Sequence, residues 1–131
     1  MTPAAVVILP GSGTSAMELA LRSVVRPGSK VLVLKAGFFG DYLEKSVKAL
    51  GGEAATAQVG LGRGFTAAEL DRLPEKNRDA AAVALQHVET STSVANPVRE
   101  LARTARSWGV PLVVDGVAPV GHGGEDGRLG C

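Results

Sequence analysis

The chain has 131 residues, 45% of them apolar, with 14 Lys and Arg set against 13 Asp and Glu. That is one domain or part of one, of ordinary globular composition. Balanced charge without long runs argues against nucleic acid or an anionic membrane as partner, and the apolar runs are far too short to span a bilayer.

No basic-then-apolar leader opens the sequence, and the single cysteine, Cys131, has no internal partner. Both fit a cytoplasmic protein.

Short apolar runs alternate with amphipathic segments. Ala5–Leu9 reads as the first strand, followed at once by the turn Pro10-Gly11-Ser12-Gly13-Thr14 and a helix over Ser15–Val25. Pro27-Gly28 ends that helix. A strand is expected at Lys30–Leu34, a helix at Gly40–Leu50 closed by Gly51-Gly52, and a strand at Ala54–Ala57. Thr66 and Glu69 make a capping box for a helix over Thr66–Leu73. A strand at Ala81–Leu85 precedes a helix over Pro97–Trp108, with Pro97 in its first turn. A last strand is expected at Pro111–Val114. Continuous apolar strands between helices predict an α/β, three-layer αβα fold with a mainly parallel sheet. From His122 to the end periodicity stops, and a disordered glycine-rich tail is expected over 122–131.

Three strand ends carry candidate chemistry. Strand, glycine turn and helix together build an anion site, because the first helical N–H groups lack partners and the dipole turns its positive end to the turn. Ser12, Thr14 and Ser15 can add hydroxyls; a plain N-cap is the alternative. Gly11-x-Gly13-x-x-Ala16 also fits a dinucleotide fingerprint, but the next strand ends Leu34-Lys35 where that motif wants an acid. The second is the hydroxyl-rich run His87–Ser93, either a ligand edge or a capping connection. The third is Asp115, an acid after four apolar residues, fit to cap a helix or to pair with a cationic ligand group. Phe38-Phe39, between Gly37 and Gly40, can stack on a flat ligand or pack inward. Trp108 reads as core and His122 as solvated.

Taken together and in this order, these segments resemble the class V group of fold-type I pyridoxal-phosphate enzymes, in the alanine–glyoxylate/serine–pyruvate aminotransferase branch. The matching segments are Gly11–Leu21, Pro27-Gly28-Ser29, Gly37–Gly40, His87–Pro97 and Leu112–Gly121. The resemblance implies that residues 1–121 form part of the large domain of such an enzyme. It implies that Ser12, Gly13 and Thr14 hold the phosphate of pyridoxal 5'-phosphate and that Phe39 stacks on the ring. Thr90 would lie near the ring hydroxyl, Val117 against the opposite ring face, and Asp115 on the pyridine nitrogen. The implied reaction is amino transfer between a small amino acid and a 2-oxo acid such as pyruvate or glyoxylate.

The departures are equally specific. The family's Schiff-base lysine lies about twenty-five residues past this aspartate. Sixteen residues follow Asp115, and no lysine stands at a matching position. Ser93 replaces a family glycine and Pro119 a family serine. The dimer-forming N-terminal segment, the small domain and the last two strands of the sheet have no counterpart, so turnover by this chain alone is not expected. A shifted reading frame or a decayed gene is expected to lie behind the change of pattern after Gly121. A non-catalytic domain binding pyridoxal phosphate, another phosphate ligand or a protein, and a nicotinamide-dinucleotide domain, are the competing expectations. An incomplete sheet also leaves an open edge, which favours a homo-oligomer.

Overall fold

Alternation along the strands decides which helix layer covers which face of the sheet. The computed structural model describes residues 5–60, 62–89 and 91–116. In chain order the elements are α1 (Gly13–Val24), β1 (Lys30–Lys35), α2 (Phe38–Ala49), β2 (Glu53–Gln58) and α3 (Ala67–Asp71). A 3₁₀ turn at Glu75–Asn77 leads to β3 (Ala82–Gln86), β4 (Val88–Glu89), β5 (Val94–Ala95), α4 (Val98–Ser107) and β6 (Leu112–Asp115). Four strands form a parallel sheet in the order β2-β1-β3-β6. β4 and β5 pair as a small antiparallel hairpin, Val88 opposite Ala95 and Glu89 opposite Val94.

Val31 and Val33 of β1, with Ala82 and Ala84 of β3, meet Met17 and Leu21 of α1 and Leu43 and Val47 of α2. Leu32, Leu34, Val83 and Leu85 point the other way, onto Leu70 of α3 and Leu101 and Ala105 of α4. Each fully buried Leu or Val contributes about 1.5–3 kcal/mol. The crossover from β1 to β2 runs through α2 on one face; those from β2 to β3 and from β3 to β6 run the opposite way through α3 and α4 on the other face. Reversing direction while changing face keeps every crossover the same hand, as parallel βαβ units require.

The cap expected at Thr66 forms, and so does the plain N-cap that was the alternative reading at the first glycine turn. Ser12 accepts a bond from the Ser15 N–H at 3.2 Å, and Thr66 from the Glu69 N–H at 3.1 Å. Gly51, at φ +82°, closes α2: its N–H reaches the Lys48 carbonyl and that of Gly52 the Val47 carbonyl, so two end carbonyls are satisfied by a left-handed residue.

One expected strand is absent. Ala5–Leu9 carries no strand pairing and is exposed throughout. A strand meant to be buried on both faces is held by its neighbours' ladders and by two helix layers, and no described strand lies beside this one. The β4–β5 hairpin was not expected, because two-residue strands carry no readable period. The expected tail at 122–131 lies outside the described residues, as do Thr90 and Val117.

Candidate functional site

The sheet reverses its direction of growth between β1 and β3. In open parallel sheets ligands bind beyond the strand C-termini at such a reversal. Here the segments leaving β1 and β3 meet there. Gly37 precedes α2 without a capping side chain, so the first α2 N–H groups have no local acceptor. The hairpin supplies acceptors from fifty residues away. The Phe39 N–H donates to Glu89 Oε1 at 3.2 Å, and the Phe38 N–H donates to Ser91 Oγ at 3.1 Å. Ser91 in turn donates to the same Glu89 oxygen from its hydroxyl at 2.8 Å and its N–H at 3.3 Å. Glu89 is only 1% exposed. Its burial is offset by three donors and by the positive end of α2.

Gly37 makes this contact fit. A Cβ there would lie 2.5 Å from Glu89 Cγ and 2.6 Å from Ser91 Oγ. The two aromatic rings are thereby fixed as a unit, edge to face with centroids 5.5 Å apart, and Phe38 and Phe39 both stay exposed.

The helix N-terminus of α2 is therefore filled by the protein's own carboxylate, whereas that of α1 is not. α1 packs against β6 and leads through a short connection into β1, so its N-terminus lies at the same sheet edge. Ser12 caps it through the Ser15 N–H, while the Gly13 and Thr14 N–H groups meet no acceptor among the described residues.

Asp115 ends β6 beside the buried Gln86, whose Nε2 donates to its Oδ2 at 3.4 Å, and its carbonyl accepts from the His87 N–H at 2.9 Å. Gln86 Oε1 and His87 Nδ1 are buried with no partner among the described residues. Asn96 braces the hairpin, donating to the Gln86 carbonyl at 2.8 Å and accepting from the Phe65 N–H at 2.9 Å.

The sequence-predicted residues thus divide. Ser12, Gly13, Thr14, Phe39 and Asp115 all sit on segments at the strand C-terminal edge, while Thr90 and Val117 lie outside the described residues. Ser91 and Thr92 of the hydroxyl run are bonded within the hairpin, the capping role that was the alternative. Glu89, Gly37 and Gln86 were missed. Glu89 and Gly37 belong to recognised segments, but their partners lie far apart in the chain, so no local spacing reveals them.

Lys35, which stands where the dinucleotide fingerprint wants an acid, is committed elsewhere. Its ammonium pairs with Asp41 at 2.5 Å and Glu44 at 2.7 Å. Hydrogen bonds donated to Asp41, then Glu44, hold its pKa above the ordinary 10.5. With Ala5–Leu9 unpaired, the strand-turn-helix context of a dinucleotide site is missing as well. Trp108 packs partly buried against the core on the α3 and α4 face of the sheet, with the Arg78 guanidinium 5.1 Å from its ring centroid. An open groove of about 720 Å³ runs along β2 between Phe65, Leu73 and Arg72, and none of Ser12, Gly13, Thr14, Phe39 or Asp115 lines it. No helix among the described residues is long and apolar enough to cross a membrane, and no described cluster of His, Cys, Asp and Glu could hold a metal.

Comparison with known proteins agrees with this arrangement. A 2-aminoethylphosphonate–pyruvate transaminase of Pseudomonas putida strain W619 is 39% identical over 113 residues, 86% of this chain and 31% of that protein. The crystal structure of an alanine–glyoxylate aminotransferase from Nostoc sp. superposes with a TM-score of 0.74 at 36% identity, over 79% of this chain and 27% of the other. A ureidoglycine–glyoxylate aminotransferase from Bacillus subtilis gives 0.74 at 26% identity over the same shares. The chain spans about 31% of the length of the curated relatives it matches. The family model for class-V aminotransferases matches residues 2–128, nearly the whole chain, and the chain belongs to that family.

Proposed function

We propose that this chain is a partial large domain of a class V aminotransferase that holds pyridoxal 5'-phosphate non-covalently. The observation that carries the reading is the gathering, at one sheet edge, of an open helix N-terminus, a clamped aromatic turn and a carboxylate beside Gln86, whose Oε1 is buried with no partner among the described residues. The Gly13 and Thr14 N–H groups, with the Ser12 and Thr14 hydroxyls, would hold the phosphate. Phe39 would stack on the ring. Asp115 would pair with the pyridine nitrogen and keep it protonated, with Thr90 at the ring hydroxyl and Val117 on the far ring face. When bound, the cofactor supplies the electron sink for amino transfer.

Covalent attachment is the missing part. Of the five lysines, Lys35 is the one that ends a strand at this edge. Its proton is held by two carboxylates, so it is not the free amine such chemistry needs. The relatives' names share a small 2-oxo acid, pyruvate or glyoxylate, as acceptor. We assign that acceptor class, with a small amino acid as donor, to the complete enzyme, and no turnover to these 131 residues. A cytoplasmic location is proposed with this reading.

The test is a titration with pyridoxal phosphate followed by absorbance, then borohydride reduction and mass analysis. The expected result is saturable binding, weakened at least tenfold by Asp115→Ala, with no lysine adduct. Absence of saturable binding would overturn the cofactor site. A single reduced lysine would overturn the non-covalent claim and return catalysis to the chain.

A further inference from the structure

Two surfaces of this chain complement each other. The first is Ala5–Leu9, in which Val6, Val7, Ile8 and Leu9 are 82%, 72%, 88% and 56% exposed. The run has no polar residue, so neither face of the strand it would form suits water; it is patterned for burial on both sides.

The second is the outer edge of β6. The Pro111 carbonyl accepts from the Val83 N–H at 2.9 Å, and the Asp115 carbonyl accepts from the His87 N–H at 2.9 Å. Both face β3. Alternate residues of a parallel strand direct their N–H and C=O to the same side, so those of Leu112 and Val114 point outward. They meet no partner among the described residues. Leu112 and Val114 lean on the α4 layer and Val113 on the α1 layer, and all three stay half-buried where β3 is fully buried. A strand added here would gain backbone bonds and extend both apolar layers.

We propose that two copies of this chain associate by reciprocal exchange, Ala5–Leu9 of each adding as a fifth strand to the β6 edge of the other. Each copy carries one unpaired apolar segment and, at β6, one sheet edge whose both flanking layers are apolar, so one exchange in each direction makes a closed two-fold pair. The area suffices. One segment exposes roughly 500 Å²; burying two of them with the partly exposed β6 edges removes on the order of 1,200–1,500 Å², at the lower end of the about 1,200–2,000 Å² of stable interfaces. The link is built for it. Pro10 holds Leu9 in extended backbone, and three residues separate the segment from α1, which Met17 and Leu21 anchor to its own sheet. In the single chain the segment stands clear of its own β6 edge.

The experiment is sedimentation equilibrium of the 131-residue chain across a concentration series, with hydrogen exchange at the Leu112 and Val114 amides. The expected result is a monomer–dimer equilibrium reaching twice 13.4 kDa, with both amides protected in the dimer. Ile8→Lys, at a side chain that is already exposed, should leave the monomer folded and weaken dimerisation at least tenfold while releasing both amides. A monomer at every concentration, with or without amide protection, would overturn the exchange. So would a dimer indifferent to Ile8→Lys, or an open series of higher masses.

Discussion

Ser93 takes φ +58° at the hairpin turn, the one described non-glycine residue in the left-handed region. The family resemblance places a glycine there, and sterics give the reason: a Cβ in that conformation costs about 1–2 kcal/mol. Ser93→Gly should therefore stabilise the chain, by about 0.5–1 kcal/mol once glycine's extra freedom in the unfolded state is deducted. A urea midpoint that rises with unchanged slope checks it. Gly37 predicts the opposite sign. Gly37→Ala forces its new methyl into Glu89 and Ser91, so the clamp on Phe38 and Phe39 must open, at a cost of about 1–3 kcal/mol. Faster exchange of the Phe39 amide would report the opening. A neutral Gly37→Ala would show that the clamp does not hold the turn. Reading the sequence locates both residues inside motifs but cannot supply their tasks. A side chain's partner across fifty residues is a tertiary fact.

The elements were largely legible because they announce themselves locally. Thr66 with Glu69, Ser12 with Ser15, and Gly51-Gly52 are caps whose donors and acceptors lie within five residues. Ala5–Leu9 misled for the converse reason: its composition is that of a strand, but strandhood is conferred by neighbours. Between β1 and α2 the ion-pair chain Lys35–Glu44–Lys48 adds a pH signature. Lys35, then Lys48, hold the Glu44 carboxyl at about 2 against an ordinary 4.5. A carboxyl depressed on folding stabilises the fold above its unfolded value and loses that contribution as pH falls through its folded value. Stability should thus decline from about pH 4.5 toward 2. Asp79, lowered by its bond from Lys30, acts in the same sense. Lys35, raised by its partners, contributes below about pH 10.5 and loses that contribution as pH rises through its folded value. Lys35→Met should flatten both limbs, as read from urea midpoints across the pH range. An acid limb unchanged in Lys35→Met would assign it to other carboxyls.

For the molecule as a whole, alternating strands and helices foretold a parallel αβα sandwich, but not the strand order β2-β1-β3-β6. The alignment of one strand against the next was not foretold. β1 is apolar on both faces, with Val31 and Val33 on one side and Leu32 and Leu34 on the other. A slip of one residue would trade valines for leucines and leave both faces greasy, so burial alone cannot tell the strand where to stop. Its two ends can. Lys30 is tied to Asp79 at 2.5 Å, and Lys35 to Asp41 and Glu44. A slip in either direction drags one ammonium into the hydrocarbon layers and strands its carboxylates outside. These lysines are end-stops: they add little attraction in the correct alignment, but they make each neighbouring alignment prohibitive.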